Sequence, residues 1–254
     1  MKIACWEAEP DGVSADRLRA AARRAAAAGA ALLVTPELSG TGYLTDARRL
    51  RALAEPLAGP HCAEVSAIAA ETGIAIVHGW PESDGDRVYN TARLAGRDGR
   101  TLLSYRKSHL YGPIERAAFD PGHDGVVQAG FEGLTLGVLI CYDVEFPEAV
   151  RAHALAGTQL LLVPTALMEP CGFVATGLVP ARAFENQLFI AYANWTGSGQ
   201  GLTYCGLSRI VGPDGRVLTG DGELRIADID LTEIPKAREL SPYLADRRPD
   251  LFAG

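Results

Sequence analysis

Three short apolar runs in this chain each stop on a residue with chemistry of its own, and this limits the fold more than any other feature. Leu32-Leu33-Val34 passes through Thr35-Pro36 into Glu37. Leu102-Leu103-Ser104-Tyr105 passes through Arg106 into Lys107, and Leu134 to Ile140 passes into Cys141. Runs of this length between turn signals read as core strands. Residues 2–7, 74–77, 160–163 and 188–193 read as further strands, and 14–28, 62–71, 147–155 and 180–185 as helices. Gly29 and Gly73 are placed to close the first two helices. Hairpins are predicted around Arg97-Asp98-Gly99, joining 87–95 to 101–105, and around Pro213-Asp214-Gly215, joining 206–211 to 217–218. Strands alternating with helices, without an internal repeat, predict an α/β fold. At 254 residues one domain is expected over 1–254, with about 240–254 as a C-terminal tail.

Core strand ends are where a sheet gathers reacting groups from distant parts of a chain. After Cys141 comes Tyr142-Asp143-Val144-Glu145-Phe146-Pro147-Glu148, so a strand turns sharply into a Pro-led helix beside a thiol. A helix start leaves backbone N–H groups open, which suits a developing oxyanion. Alone, Cys141 reads equally as a nucleophile or as a small core residue. Glu37 and Lys107 shift that balance. A thiol near neutrality needs a base to take its proton. A carboxylate held away from water has a raised pKa and serves as one. A lysine ammonium stabilises both thiolate and oxyanion. Together the three make a complete set for acyl transfer.

Glu37 in TPEL, Lys107 in YRKSHL and Cys141 in LICYDVEFPE lie 70 and 34 positions apart. In order, type and spacing they resemble the Glu–Lys–Cys triad of the nitrilase superfamily, the carbon–nitrogen hydrolases. The resemblance extends from Lys2 to Pro249. It implies a four-layer α-β-β-α sandwich, usually paired into a homodimer or larger homo-oligomer. It implies hydrolysis of a small non-peptide amide to acid and ammonia or amine through a cysteine thioester. Glu115, eight positions after Lys107, matches a second family glutamate, either a proton carrier or a carboxylate orienting Lys107 and the substrate amide. The Tyr142 N–H is the implied oxyanion donor, and Tyr111, Phe146, Phe173 and Trp195 are pocket walls by family position. Where several branches place an arginine to grip a substrate carboxylate, this chain has Glu145. If that side chain faces the pocket, a neutral or cationic amide is expected over an amide of a dicarboxylic acid. The alternatives are a nitrilase, an N-carbamoyl amide hydrolase and a non-catalytic family member. Tyr142-Asp143 after the cysteine, in place of Trp-Glu, favours amides over nitriles, and the intact triad argues against the non-catalytic reading.

Other signals carry less. A Cys–His pairing with His109 would be a rival mechanism, but a histidine near a loop is more often a hydrogen-bonded structural residue. Ser104-Tyr-Arg-Lys107 has the form of a Ser-x-x-Lys motif, which requires a helix where this segment reads as strand. Gly197-Ser-Gly-Gln-Gly201 reads as a flexible connector beside the site. Cys5, Cys62, Cys171 and Cys205 form no metal-ligand spacing, and no metal or cofactor is expected; Cys171 is a possible pocket residue. A net charge of −7 argues against nucleic acid. No run of apolar residues suits a membrane span, and the first residues read as a strand rather than a signal peptide. Five cysteines, one of them a working thiol, suit a reducing cytoplasm.

Overall fold

The computed structural model describes residues 1–10 and 13–252. The chain runs β1 (Lys2–Trp6), α1 (Ala15–Ala27), β2 (Ala30–Val34), α2 (Ala47–Ala52), α3 (Pro60–Thr72), β3 (Ala75–Asp84), β4 (Arg87–Ala95), β5 (Thr101–Arg106) and α4 (Gly112–Ala118). It continues through β6 (Gln128–Phe131), β7 (Leu134–Val138), a 3-10 turn (Cys141–Glu145), α5 (Pro147–Leu155), β8 (Leu160–Pro164), a π turn (Val174–Leu178), α6 (Val179–Asn186) and β9 (Phe189–Ala193). It ends with β10 (Thr196–Gly199), β11 (Leu202–Cys205), β12 (Arg209–Val211), β13 (Leu224–Asp228), α7 (Glu233–Leu240) and α8 (Pro249–Phe252).

One sheet has the order β13-β1-β2-β3-β4-β5, and a second has the order β12-β9-β8-β7-β6. β1, β2 and β3 are parallel, as are β7, β8 and β9. The two sheets face each other; α1 and α3 cover the outer side of the first, and α5 and α6 that of the second. This is the expected four-layer α-β-β-α sandwich. Because both faces of the central strands are covered, their sequences are apolar throughout. Ile3, Cys5, Leu32, Val34 and Val77 point into the core between the sheets. Ala4, Trp6, Leu33 and Ile76 point to the core under α1 and α3. Each such fully buried large aliphatic side chain contributes about 1.5–3 kcal/mol.

Helix α1 buries Leu18, Ala21, Ala22 and Ala25 on one stripe, and the Ser14 side chain caps its start by accepting from Arg17 N–H. Pro60 opens α3, and Gly73 closes it in the left-handed region, at φ 67°. The β4–β5 hairpin forms as expected. The second hairpin is reduced to β12 and an isolated bridge between Val211 and Val217, and β6, α2, α4 and α7 are elements the sequence reading did not place. Further features differ from expectation. β3 does not stop at Val77 but runs to Asp84, pairing with β4 along its length. β13 adds an antiparallel edge beside β1. The glycine-rich 197–201 segment is no loose connector; it is the turn end of the β10–β11 hairpin.

Candidate active site

Glu37, Lys107 and Cys141 lie one to three residues beyond the C-terminal ends of β2, β5 and β7. Those strands share one direction within each sheet, so their ends open on the same edge of the sandwich, where α/β sheets bind ligands. Lys107 Nζ donates to Glu37 Oε1 at 2.6 Å and to Glu115 Oε1 at 2.8 Å. Asn90 Nδ2, from β4, donates to the same Glu37 Oε1 at 2.7 Å. Tyr43 OH donates to Glu115 Oε1 at 2.9 Å, and the Tyr111 N–H to Glu115 Oε2 at 2.7 Å. Glu37, Lys107 and Glu115 are each about 1% exposed. Glu37 Oε2 is also buried and has no hydrogen-bond partner among the described residues.

A carboxylate and an ammonium held together in a dry site act strongly on one another. Burial pushes the Glu37 carboxyl up to about 7, against the pull of Lys107. Burial opposes the Lys107 charge, but the Glu115 and Glu37 carboxylates overcome it and hold the ammonium well above the usual lysine range. Burial also drives the Cys141 thiol well above its ordinary value; Glu37 adds to this, while Lys107 and the Ala166 N–H oppose it. The resting arrangement is therefore a neutral thiol, a carboxyl poised near neutrality and a fixed ammonium.

Cys141 stands at a tight corner. Its φ is 46°, in the left-handed region, which costs a non-glycine residue about 1–2 kcal/mol. Asp143, fully buried, holds the corner in place. Its Oδ2 accepts from Ile140 N–H at 3.1 Å and from Tyr105 OH at 2.9 Å. Its Oδ1 accepts from His109 N–H at 2.8 Å and lies 2.7 Å from His109 Nδ1. His109 is thus engaged with Asp143, which leaves the Cys–His pairing without support.

Cys141 forms part of the wall of a cavity of about 420 Å³ that Tyr111, Tyr142, Glu145, Met168 and Cys171 also line, with Gly201, Leu202 and Thr203 from the β10–β11 hairpin. Three expected pocket walls lie elsewhere. Phe146 stacks on the His109 ring, at 3.9 Å between centroids and 12° between planes, and lines a separate hollow with it. Phe173 is 70% exposed, and its ring lies over Gly177. Trp195 is fully buried, and its Nε1–H donates to the Glu37 carbonyl at 2.9 Å, so it supports the base's backbone rather than the substrate. An aromatic residue's direction depends on the neighbouring layers, which local sequence does not state. Sequence reasoning also passed over Asn90, Tyr43 and Asp143. Asp143 had a signal, an acid two places after the thiol inside an otherwise apolar elbow; Asn90 had only its polarity within the run Val88-Tyr89-Asn90-Thr91-Ala92.

Among the described residues no group of three or more His, Cys, Asp or Glu residues has metal-site geometry, and no helix is long and apolar enough to cross a membrane.

The sequence model of the carbon-nitrogen hydrolase family matches residues 6–239. A protein described as a hydrolase in the pqqF 5' region of Pseudomonas protegens is 44% identical over 225 residues, covering 87% of this chain and 79% of that one. An (R)-stereoselective amidase of a Pseudomonas species is 39% identical, over 85% of this chain and 79% of its own. A mutant of the amidase from Nesterenkonia sp. AN1, solved with acrylamide added at its active-site cysteine, superposes with a TM-score of 0.85 at 38% identity, covering 99% of this chain and 98% of that one. The chain belongs to the carbon–nitrogen hydrolase family. It is a hydrolase of carbon–nitrogen bonds other than peptide bonds.

Proposed function

We propose that the protein hydrolyses a small amide to a carboxylic acid and ammonia or amine through a thioester on Cys141. The observation that carries this reading is the buried Glu37–Lys107–Glu115 cluster, whose charges act on the Cys141 thiol at the wall of an open cavity. Glu37 takes the thiol proton, on the Oε2 that no other group occupies, as Sγ bonds to the amide carbon. The oxyanion that forms is held by the Lys107 ammonium and the Tyr142 N–H, a donor in the first turn after the nucleophile. The carbon–nitrogen bond breaks as Glu37 returns its proton to the leaving nitrogen. Water then attacks the thioester, gives a proton to Glu37, and releases the acid as that proton returns to Sγ. Glu115 keeps Lys107 charged and in place and needs to carry no proton itself.

Mass spectrometry of purified variants incubated with an amide tests this. Cys141→Ala is expected to lose turnover and form no adduct. Glu37→Gln is expected to lose turnover and to form little or no thioester from an amide, because both capture of the thiol proton and protonation of the leaving nitrogen need Glu37. Full turnover by Cys141→Ala would end the proposal.

A further inference from the structure

The Cys141 cavity carries side chains that bond cleavage does not require, and their chemistry is one-sided. Glu145 lines it, half buried, and its carboxylate makes no hydrogen bond or ion pair to any described residue. The two cations that act on it, Lys107 and Arg182, are both committed elsewhere. Arg182 donates to the backbone carbonyls of Val144 and Glu145 and pairs with Glu185 at 2.9 Å. Lys107 is consumed by Glu37 and Glu115. Among the described residues no Lys, Arg or His side chain lines the cavity, and a second acid, Glu169, stands exposed on its wall. Beside Glu145 the rings of Tyr111 and Tyr142 meet edge to face, 5.2 Å between centroids and 69° between planes. Both rings belong to the same wall.

A half-buried carboxylate with no partner is costly to keep unless a ligand supplies one. Aromatic side chains on the same wall as such a carboxylate offer a cation π surface beside a counter-charge. They offer a carboxylate only repulsion. Burial raises the Glu145 carboxyl, with Lys107 and Arg182 opposing, so its charge is restored most fully when a cation is bound against it.

We propose that Tyr111, Tyr142 and Glu145 form a subsite for an alkylammonium group carried by the substrate, so that the enzyme selects amides with a cationic far end. The proposal rests on the amide-hydrolase reading above and deepens it. The subsite also has a structural link to the chemistry. The Tyr111 N–H holds Glu115, and Tyr142 follows the nucleophile directly, so a cation seated against this ring pair and Glu145 anchors the substrate on the two segments that carry the reacting groups.

The test uses three amides of matched length: 5-aminopentanamide, hexanamide and the monoamide of adipic acid. Ammonia release gives kcat/KM for each at low ionic strength. The expected order is cation, then neutral, then anion, with the cation ahead of the neutral amide by about tenfold or more. In Glu145→Gln the ratio of cation to neutral is expected to collapse towards one, and in Glu145→Lys the order of cation and anion is expected to reverse. Tyr111→Leu should lower the cation-to-neutral ratio more than Tyr111→Phe, which keeps the ring. An anionic amide turned over as well as the neutral one by the unmodified enzyme would overturn the subsite without any variant having to fold. So would an unchanged cation-to-neutral ratio in a folded Glu145→Gln. If none of the three amides releases ammonia and none acylates Cys141, it is the amide-hydrolase reading that fails.

Discussion

Lys107 is bound on both sides by acids, and the balance decides the chemistry. Burial alone would favour a neutral Lys107 and a protonated Glu37. Two carboxylates around one ammonium leave the cation fixed and put the spare negative charge on the pair. Glu37 bears much of that strain. Its Oε1 accepts from Lys107 and Asn90 while its Oε2 is buried without a partner, an arrangement that costs about 1–3 kcal/mol in a folded protein. A raised folded pKa means the carboxyl is protonated below about 7 and becomes a base above it. We expect kcat/KM for an amide to fall on the acid side with an apparent pKa near 7, where an ordinary glutamate would give a limb near 4.5. A pH–rate profile flat from pH 5 to 8 would contradict this. Glu37, Lys107 and Cys141 were legible because each follows an apolar run, a pattern that survives in one dimension. Asn90 and Tyr43 were not, because their partners lie 53 and 72 residues away.

At the scale of elements, the site consists of strand ends held in turns that would not form alone. Leu38, directly after Glu37, sits at φ 51°, as Cys141 sits at φ 46°. The first turn is held from below by β3. Gly40 N–H donates to Gly79 O at 2.9 Å, and Gly79 N–H donates to Ser39 Oγ at 3.2 Å. A Cβ at Gly79 would lie 2.8 Å from the Leu38 nitrogen and 3.3 Å from Thr91 O, both backbone atoms. Gly79→Ala is therefore expected to destabilise the fold by about 1–3 kcal/mol, and to lower kcat further than the lost folded fraction explains. Urea unfolding with active-site titration separates the two effects; unchanged kcat per folded site would refute it. The same element shows why β3 was read short. Gly79 and Pro81 look like a stop in sequence, yet the glycine is there to admit the Glu37 turn. Pro81 keeps its carbonyl in use, accepting from Glu55 N–H at 3.0 Å.

For the whole molecule, the decisive fact is that the site spans the seam between the two sheets. Glu37 follows a strand of the first sheet, but its N–H donates to Thr165 O at 3.2 Å and its carbonyl accepts from Trp195, both beyond strands of the second. Cys141 follows a strand of the second sheet, and Asp143 ties its corner to Tyr105 and His109 on the first. Neither sheet alone holds the nucleophile and the base together. On the outer side, Phe184 and Tyr243 meet edge to face at 5.6 Å, both about two-fifths exposed, and Leu240 is 85% exposed. We propose that these apolar groups, on α6 and at and after the end of α7, pack against a second copy of the chain. Light scattering is expected to give at least twice the chain mass, and Leu240→Asp to weaken the association; a monomer at micromolar concentration would count against it. Sequence by itself determined the alternation of strand and helix and the three groups at strand ends, because buried strands and their stop residues leave a local, one-dimensional trace. Only the tertiary structure decided that Trp195 and Phe146 serve the scaffold, that Asn90, Tyr43 and Asp143 serve the site, and that Glu145 faces the cavity. Those outcomes depend on which side chains two packed sheets bring within a few ångströms, and residues far apart in the chain carry no mark of that meeting.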